Sequence, residues 1–174
     1  MRIGIWLTEA AWPAAVRAAA ELLGALAQPA DDPRPPHDVV LLCVAGDEAA
    51  AQVSGAFGGL WGRGSRRDPG PVVAAEAEAA AADLLRRAAE RLGHPSRTRT
   101  LHGRPERAVT AAAAELDLLV LARDGDLKRL GPRSLGPDTR FVVDHAPCRV
   151  LLVWPGTAPD LGSLPPPPPQ AQAR

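Results

Sequence analysis

The chain has 174 residues, with 20 Lys and Arg against 20 Asp and Glu, so its formal net charge is zero. That length suits one domain with a substantial core, and the neutral balance gives no basic footprint for DNA or RNA. Lys128 is the only lysine, and the abundance of Ala, Gly and Pro reads as coding bias from a GC-rich genome, not as a functional signal.

The opening "MRIGIWLTE" has an apolar stretch too short for a signal-peptide core, and no run approaches the ~18 apolar residues of a membrane span. A soluble cytoplasmic protein with no membrane partner is expected. "RIGIWL" (2–7) reads as a first strand. Residues 13–28 follow as a helix, with Val16, Ala20, Leu23 and Ala27 on one stripe. "DVVLLCVA" (38–45) is a near-continuous apolar strand, the pattern of a parallel sheet covered on both faces. Residues 46–70, "GDEAAAQVSGAFGGLWGRGSRRDPG", form a long glycine-rich insertion with room for a short helix near Ala49 to Phe57. Loops of that length are commonly functional.

A second helix spans 71–92, with Val73, Ala77, Leu84 and Ala88 on its stripe and Gly93 beyond its end. "SRTRTLH" (96–102) alternates Arg97 and Arg99 with Thr98 and Thr100, which suits an edge strand. Pro105 opens "PERAVTAAAAEL", "LDLLVLA" (116–122) is a fourth strand, Pro137 opens "PDTRFVVDH", and "CRVLLVW" (148–154) closes the sheet. Alternating strands and helices predict an α/β fold with five parallel strands and helices on both faces, Rossmann-like in type; the strand order expected is 3-2-1-4-5, which periodicity alone does not give. The domain covers 1–155; residues 156–174, with a run of prolines, are expected as a disordered tail.

Much of the remaining chemistry reads as structural. Cys43 and Cys148 fall on strands about 14 Å apart in this order, beyond disulfide reach. His37, His94, His102 and His145 have no zinc spacing, so no metal is expected, and His145 is expected to cap the fourth helix. Ser134, Asp144 and His145 supply the residue types of a hydrolytic triad, but "PRSLG" is not a nucleophile elbow. Of Trp6, Trp12, Trp61 and Trp154, only Trp61, inside the insertion, is a candidate for touching a ligand.

The loop "RDGDLKRLGPRSLGP" (123–137) lies between the fourth strand and the fourth helix, where α/β proteins often hold phosphate. The segments "HGRPERAVTAAAAELDLLVLA" and "DHAPCRVLLVWP" resemble the third helix, fourth strand and ending of the universal stress protein family, with the likeness running over residues 1 to about 155. ATP-binding members carry Gly, two residues, Gly, nine residues, then Gly and Ser or Thr. In this chain those places hold Arg123, Asp126, Gly136 and Pro137, so one of four positions matches.

The resemblance therefore implies a family fold whose usual ATP mode is lost. Arg123 and Asp126 put side chains where bare backbone should approach an anion, and Pro137 removes both a hydroxyl and an N–H. A carboxylate ~5 Å from a phosphate charge costs about 3 kcal/mol at an effective dielectric near 20. The candidate crevice, at the switch point of the sheet, comprises Leu7, Thr8, Glu9, Val44, Arg123, Asp124, Gly125, Asp126, Lys128, Gly136 and Pro137. The cationic side chains Arg123, Lys128, Arg129 and Arg133 leave open an altered nucleotide or other anionic ligand (ATP, ADP or AMP). Glu9, Asp124 and Asp126 could instead gather a cation or amine.

The last strand, Arg149, Val150, Leu151, Leu152 and Val153, is an apolar edge guarded by one arginine, and pairing of two such edges gives a two-fold dimer. Family members are similarly expected to dimerise there. The expected function is a homodimeric, non-catalytic regulatory or ligand-binding module of the stress-protein type. The alternatives are a nucleotide-binding, slowly ATP-hydrolysing member, or an interaction protein working through the insertion or the proline tail.

Overall fold

The structure is a computed structural model that describes residues 1–27, 37–46 and 70–164. Its elements are β1 (Arg2–Leu7), α1 (Trp12–Ala25), β2 (Asp38–Val44), α2 (Gly70–Leu92), β3 (Arg97–Leu101), α3 (Pro105–Ala113), β4 (Leu118–Ala122), α4 (Pro137–His145) and β5 (Arg149–Val153). Short 3-10 turns occupy Pro132–Ser134 and Leu161–Ser163. The strands form one sheet in the order β3-β2-β1-β4-β5, and every neighbouring pair is parallel, as the alternation of elements predicts.

Strand periodicity divides the core in two. Ile3, Ile5 and Leu7 of β1 turn to one face and pack with Val16 and Leu23 of α1 and Leu84, Leu85 and Ala88 of α2. Trp6, Leu119 and Leu121 turn to the other and pack with Val109 and Ala112 of α3 and Val142 of α4. Gly4 shares this second face, where the Leu116 side chain fills the space a Cβ would take. The two outer strands are β3 and β5. On β3, Arg97 pairs with Asp38 at 2.7 Å and Arg99 with Glu115 at 3.4 Å, so the charged alternation is neutralised at this edge.

Several boundaries differ from the sequence expectation. α1 ends at Ala25, three residues before 28. α3 stops at Ala113 because the N–H groups of Ala114, Glu115 and Leu116 bond three residues back, tightening the last turn before β4. β5 stops at Val153, leaving Trp154 just outside the sheet. Residues 156–164, expected to belong to a disordered tail, contain the Leu161–Ser163 turn, which Asp160 caps by accepting from the Gly162 N–H at 2.7 Å. Ser163 Oγ accepts the Leu130 N–H at 3.1 Å, which ties this segment to the loop before α4. The expected helix near 49–57, Trp61 and the proline run lie outside the described residues. Among the described residues, no helix is long and apolar enough to cross a membrane.

Candidate functional site

Parallel strands deliver their carboxyl ends to one side of the sheet, and the reversal of strand order between β1 and β4 leaves a crevice there. A hollow of about 320 Å³ occupies this position, at the small end of the range for small-molecule sites. Leu7 at the end of β1, Thr8 and Glu9 beyond it, Val44 of β2 and Asp124 after β4, all candidates from the sequence, line it. Arg123, Gly125, Asp126, Lys128, Gly136 and Pro137 do not.

Sequence reasoning missed the α2 wall. Ala77, Ala80 and Ala81 lie three and four residues apart, hence on one helix face, and their short side chains leave the hollow its volume. The available signal was that spacing, which reads equally well as ordinary core. Trp6, Cys43 and Asp138 also line the hollow. Burial, followed by the charges of Glu9 and Glu78, pushes the Cys43 thiol up to about 11, so it stays protonated at neutral pH and is a poor nucleophile. Glu9 meets Arg87 only at 3.4 Å across an exposed surface. Among the described residues, no group of His, Cys, Asp and Glu is arranged to hold a metal ion.

The loop from β4 to α4 is tied at its base. The Gly125 N–H donates to Ser134 O at 3.0 Å and the Asp126 N–H to Arg133 O at 2.8 Å, so neither is directed to the crevice. Gly125 is required by space: a Cβ would lie 2.5 Å from Arg133 O and 2.8 Å from the carbonyl carbons of Ser134 and Leu135. Arg123 turns away from the crevice. Its guanidinium donates to Ser134 Oγ and lies 4.7 Å from the Trp154 ring centroid. Ser134 is fully buried and its hydroxyl also donates to Gly131 O at 2.6 Å, so it is no accessible nucleophile.

The head of α4 contains its own anion. Gly136 is the N-cap and Pro137 the first helical residue, which leaves few free N–H groups. The Asp124 carboxylate fills the position: Oδ1 accepts the Gly136 N–H at 2.8 Å, and Oδ2 accepts the Thr139 hydroxyl at 2.7 Å. An anion at a helix N-terminus is favoured by both the orphan donors and the dipole, and here it is a side chain. Asp126, the expected source of repulsion, instead accepts the Lys128 N–H at 3.1 Å on the exposed side of the loop. At the far end of α4, His145 Nδ1 lies 2.9 Å from Phe141 O and its ring stacks on Phe141, a helix-end role.

The described strands leave the outer edge of β5 unpaired, and Val150, Leu151, Leu152 and Val153 are each half-buried in the single chain. Cys43 on β2 and Cys148 just before β5 are both free, with β1 and β4 between those strands.

A search of curated proteins finds no match. Among solved structures, a universal stress protein UspA from Lactobacillus plantarum matches at 21% identity and TM-score 0.55, covering 87% of this chain and 96% of that one. A universal stress protein in complex with cAMP matches at 20% identity and TM-score 0.53, covering 88% and 96%. A universal stress protein family protein from Arabidopsis thaliana with AMP bound matches at 14% identity and TM-score 0.53, covering 88% and 91%. At these identities the likeness is one of fold. The sequence model of the Universal stress protein family matches residues 8–153, the greater part of the chain, and the protein therefore belongs to that family.

Proposed function

We propose that the protein is a cytoplasmic, homodimeric ligand-binding regulatory module of the universal stress protein family, without catalytic turnover and without the ATP mode of nucleotide-binding members. The observation that carries this reading is the Asp124 carboxylate at the head of α4, bonded to the Gly136 N–H and the Thr139 hydroxyl. A phosphate directed to the same donors would compete with these bonds and meet a carboxylate charge at short range, a cost of about 3 kcal/mol at ~5 Å. Asp138 in the first turn adds a second negative side chain on the crevice wall. What remains is a small, largely apolar hollow suited to an uncharged or cationic ring. The test is denaturation of the purified protein followed by absorbance of the released small molecules. No adenine nucleotide is expected in the crevice; a stoichiometric amount that persists when Lys128 and Arg133 are both changed to Glu would refute the reading.

The runner-up, an adenine-nucleotide-binding member with slow ATP hydrolysis, draws support from relatives whose structures contain cAMP and AMP. Those ligands carry fewer phosphates than ATP and demand less of the α4 head. This reading needs Arg123 to leave Ser134 and Trp154 and turn into the crevice. The third reading, an interaction protein, rests on segments outside the described residues.

The dimer is supported by the bare apolar edge of β5. Replacing Leu152 with Arg puts a charge in the middle of the proposed strand pair, and sedimentation is expected to show a monomer. A full-size dimer would place the interface elsewhere.

A further inference from the structure

A second hollow, of about 780 Å³, lies between the 128–133 loop, α4 and the 162–164 segment, and it shares no lining residue with the crevice. Its wall contains Lys128, Arg129, Arg133 and Arg140, two leucines, Leu130 and Leu164, and no acidic side chain. Five arginines elsewhere in the described residues are neutralised. Arg86, Arg87, Arg97, Arg99 and Arg104 each meet a carboxylate within 3.4 Å. Among the described residues, Lys128, Arg129, Arg133 and Arg140 make no ion pair; Arg140 donates only to Pro132 O, a bond that helps hold the wall in place.

Four cations without a carboxylate partner among the described residues border one concavity and repel one another. We infer that this hollow is a binding site for a small ligand carrying two or more phosphate charges. Arginine forks suit phosphate oxygens, all four cations border one concavity, and Leu130 with the exposed Leu164 supplies apolar surface beside them for whatever the phosphates are attached to. A short, open hollow lacking aromatic side chains does not suit a nucleic acid strand, which needs an extended groove and stacking surfaces. The inference goes beyond the proposed function and stands without it, since it concerns the opposite side of the loop from the crevice.

The test is a calorimetric titration of inorganic pyrophosphate into the full chain at low ionic strength. It is repeated with the double variant Lys128→Glu, Arg133→Glu and with the crevice variant Glu9→Gln. Lys128, Arg133 and Glu9 are exposed, so the variants should fold, which far-ultraviolet circular dichroism checks. Pyrophosphate is expected to bind the natural protein. The double charge reversal should weaken binding by about tenfold or more, added salt should weaken it progressively, and Glu9→Gln should leave it nearly unchanged. The inference is overturned if the natural protein takes up no pyrophosphate, if the double variant binds as well as the natural protein, or if Glu9→Gln alters binding as much as the charge reversal does.

Discussion

Gly125→Ala should destabilise the protein by about 3 kcal/mol in urea unfolding, the upper range for forcing atoms into a filled space. The added methyl would lie 2.5 Å from Arg133 O and 2.8 Å from two backbone carbons, and none of these is the end of a flexible side chain. Relief requires the loop base to open, which lengthens the main-chain bonds from the Gly125 and Asp126 N–H groups to Ser134 and Arg133. Those bonds fix Asp124 opposite the head of α4, so local damage spreads to the crevice. Gly156→Ala is the control, because nothing lies within 4 Å of a Cβ there. A Gly125→Ala protein as stable as this control would mean that the loop base is not packed as described.

Asp124→Ala is the second large effect, a loss of about 2 kcal/mol at neutral pH. One carboxylate serves two donors, and its removal deprives α4 of its cap and leaves the fully buried Thr139 hydroxyl without that acceptor. Caps contribute about 1 kcal/mol and charge-assisted bonds roughly 1.5 to 3, with the two overlapping here. Asp126→Ala removes a single exposed bond to the Lys128 N–H and should cost less than about 1 kcal/mol. Thermal or urea unfolding of the pair distinguishes them. Equal losses would remove Asp124 from its special position.

The fold was legible because its signals are local. Runs such as "DVVLLCV" allow no exposed face, and Pro105 and Pro137 mark helix starts at which a missing N–H does no harm. Charged alternation at Arg97 and Arg99 marked β3 as an edge before any strand order was known. The site was legible only as a neighbourhood. Which of two aspartates turns inward depends on loop dihedrals set by the Gly125 and Asp126 main-chain bonds, and nothing in "RDGD" encodes that choice. Arg123 reads as a phosphate ligand in sequence, yet Trp154, more than thirty residues away, offers it a ring. The basic hollow is likewise assembled from a distance, because Arg140 and the 162–164 segment join Lys128, Arg129 and Arg133 only after α4 and β5 are in place.

The most direct measurement is a calorimetric titration of ATP with Mg²⁺ into the natural protein and into the double variant Asp124→Gly, Pro137→Ser. This variant removes the internal carboxylate and restores both a hydroxyl and an N–H at the first turn of α4. The closed-crevice account predicts that any ATP uptake by the natural protein is abolished by Lys128→Glu, Arg133→Glu, whereas the variant shows added binding that is competed by AMP and survives those charge reversals. A protein with Lys128→Glu, Arg133→Glu but an unchanged α4 head that binds ATP at about micromolar affinity, no more weakly than the variant, would contradict it.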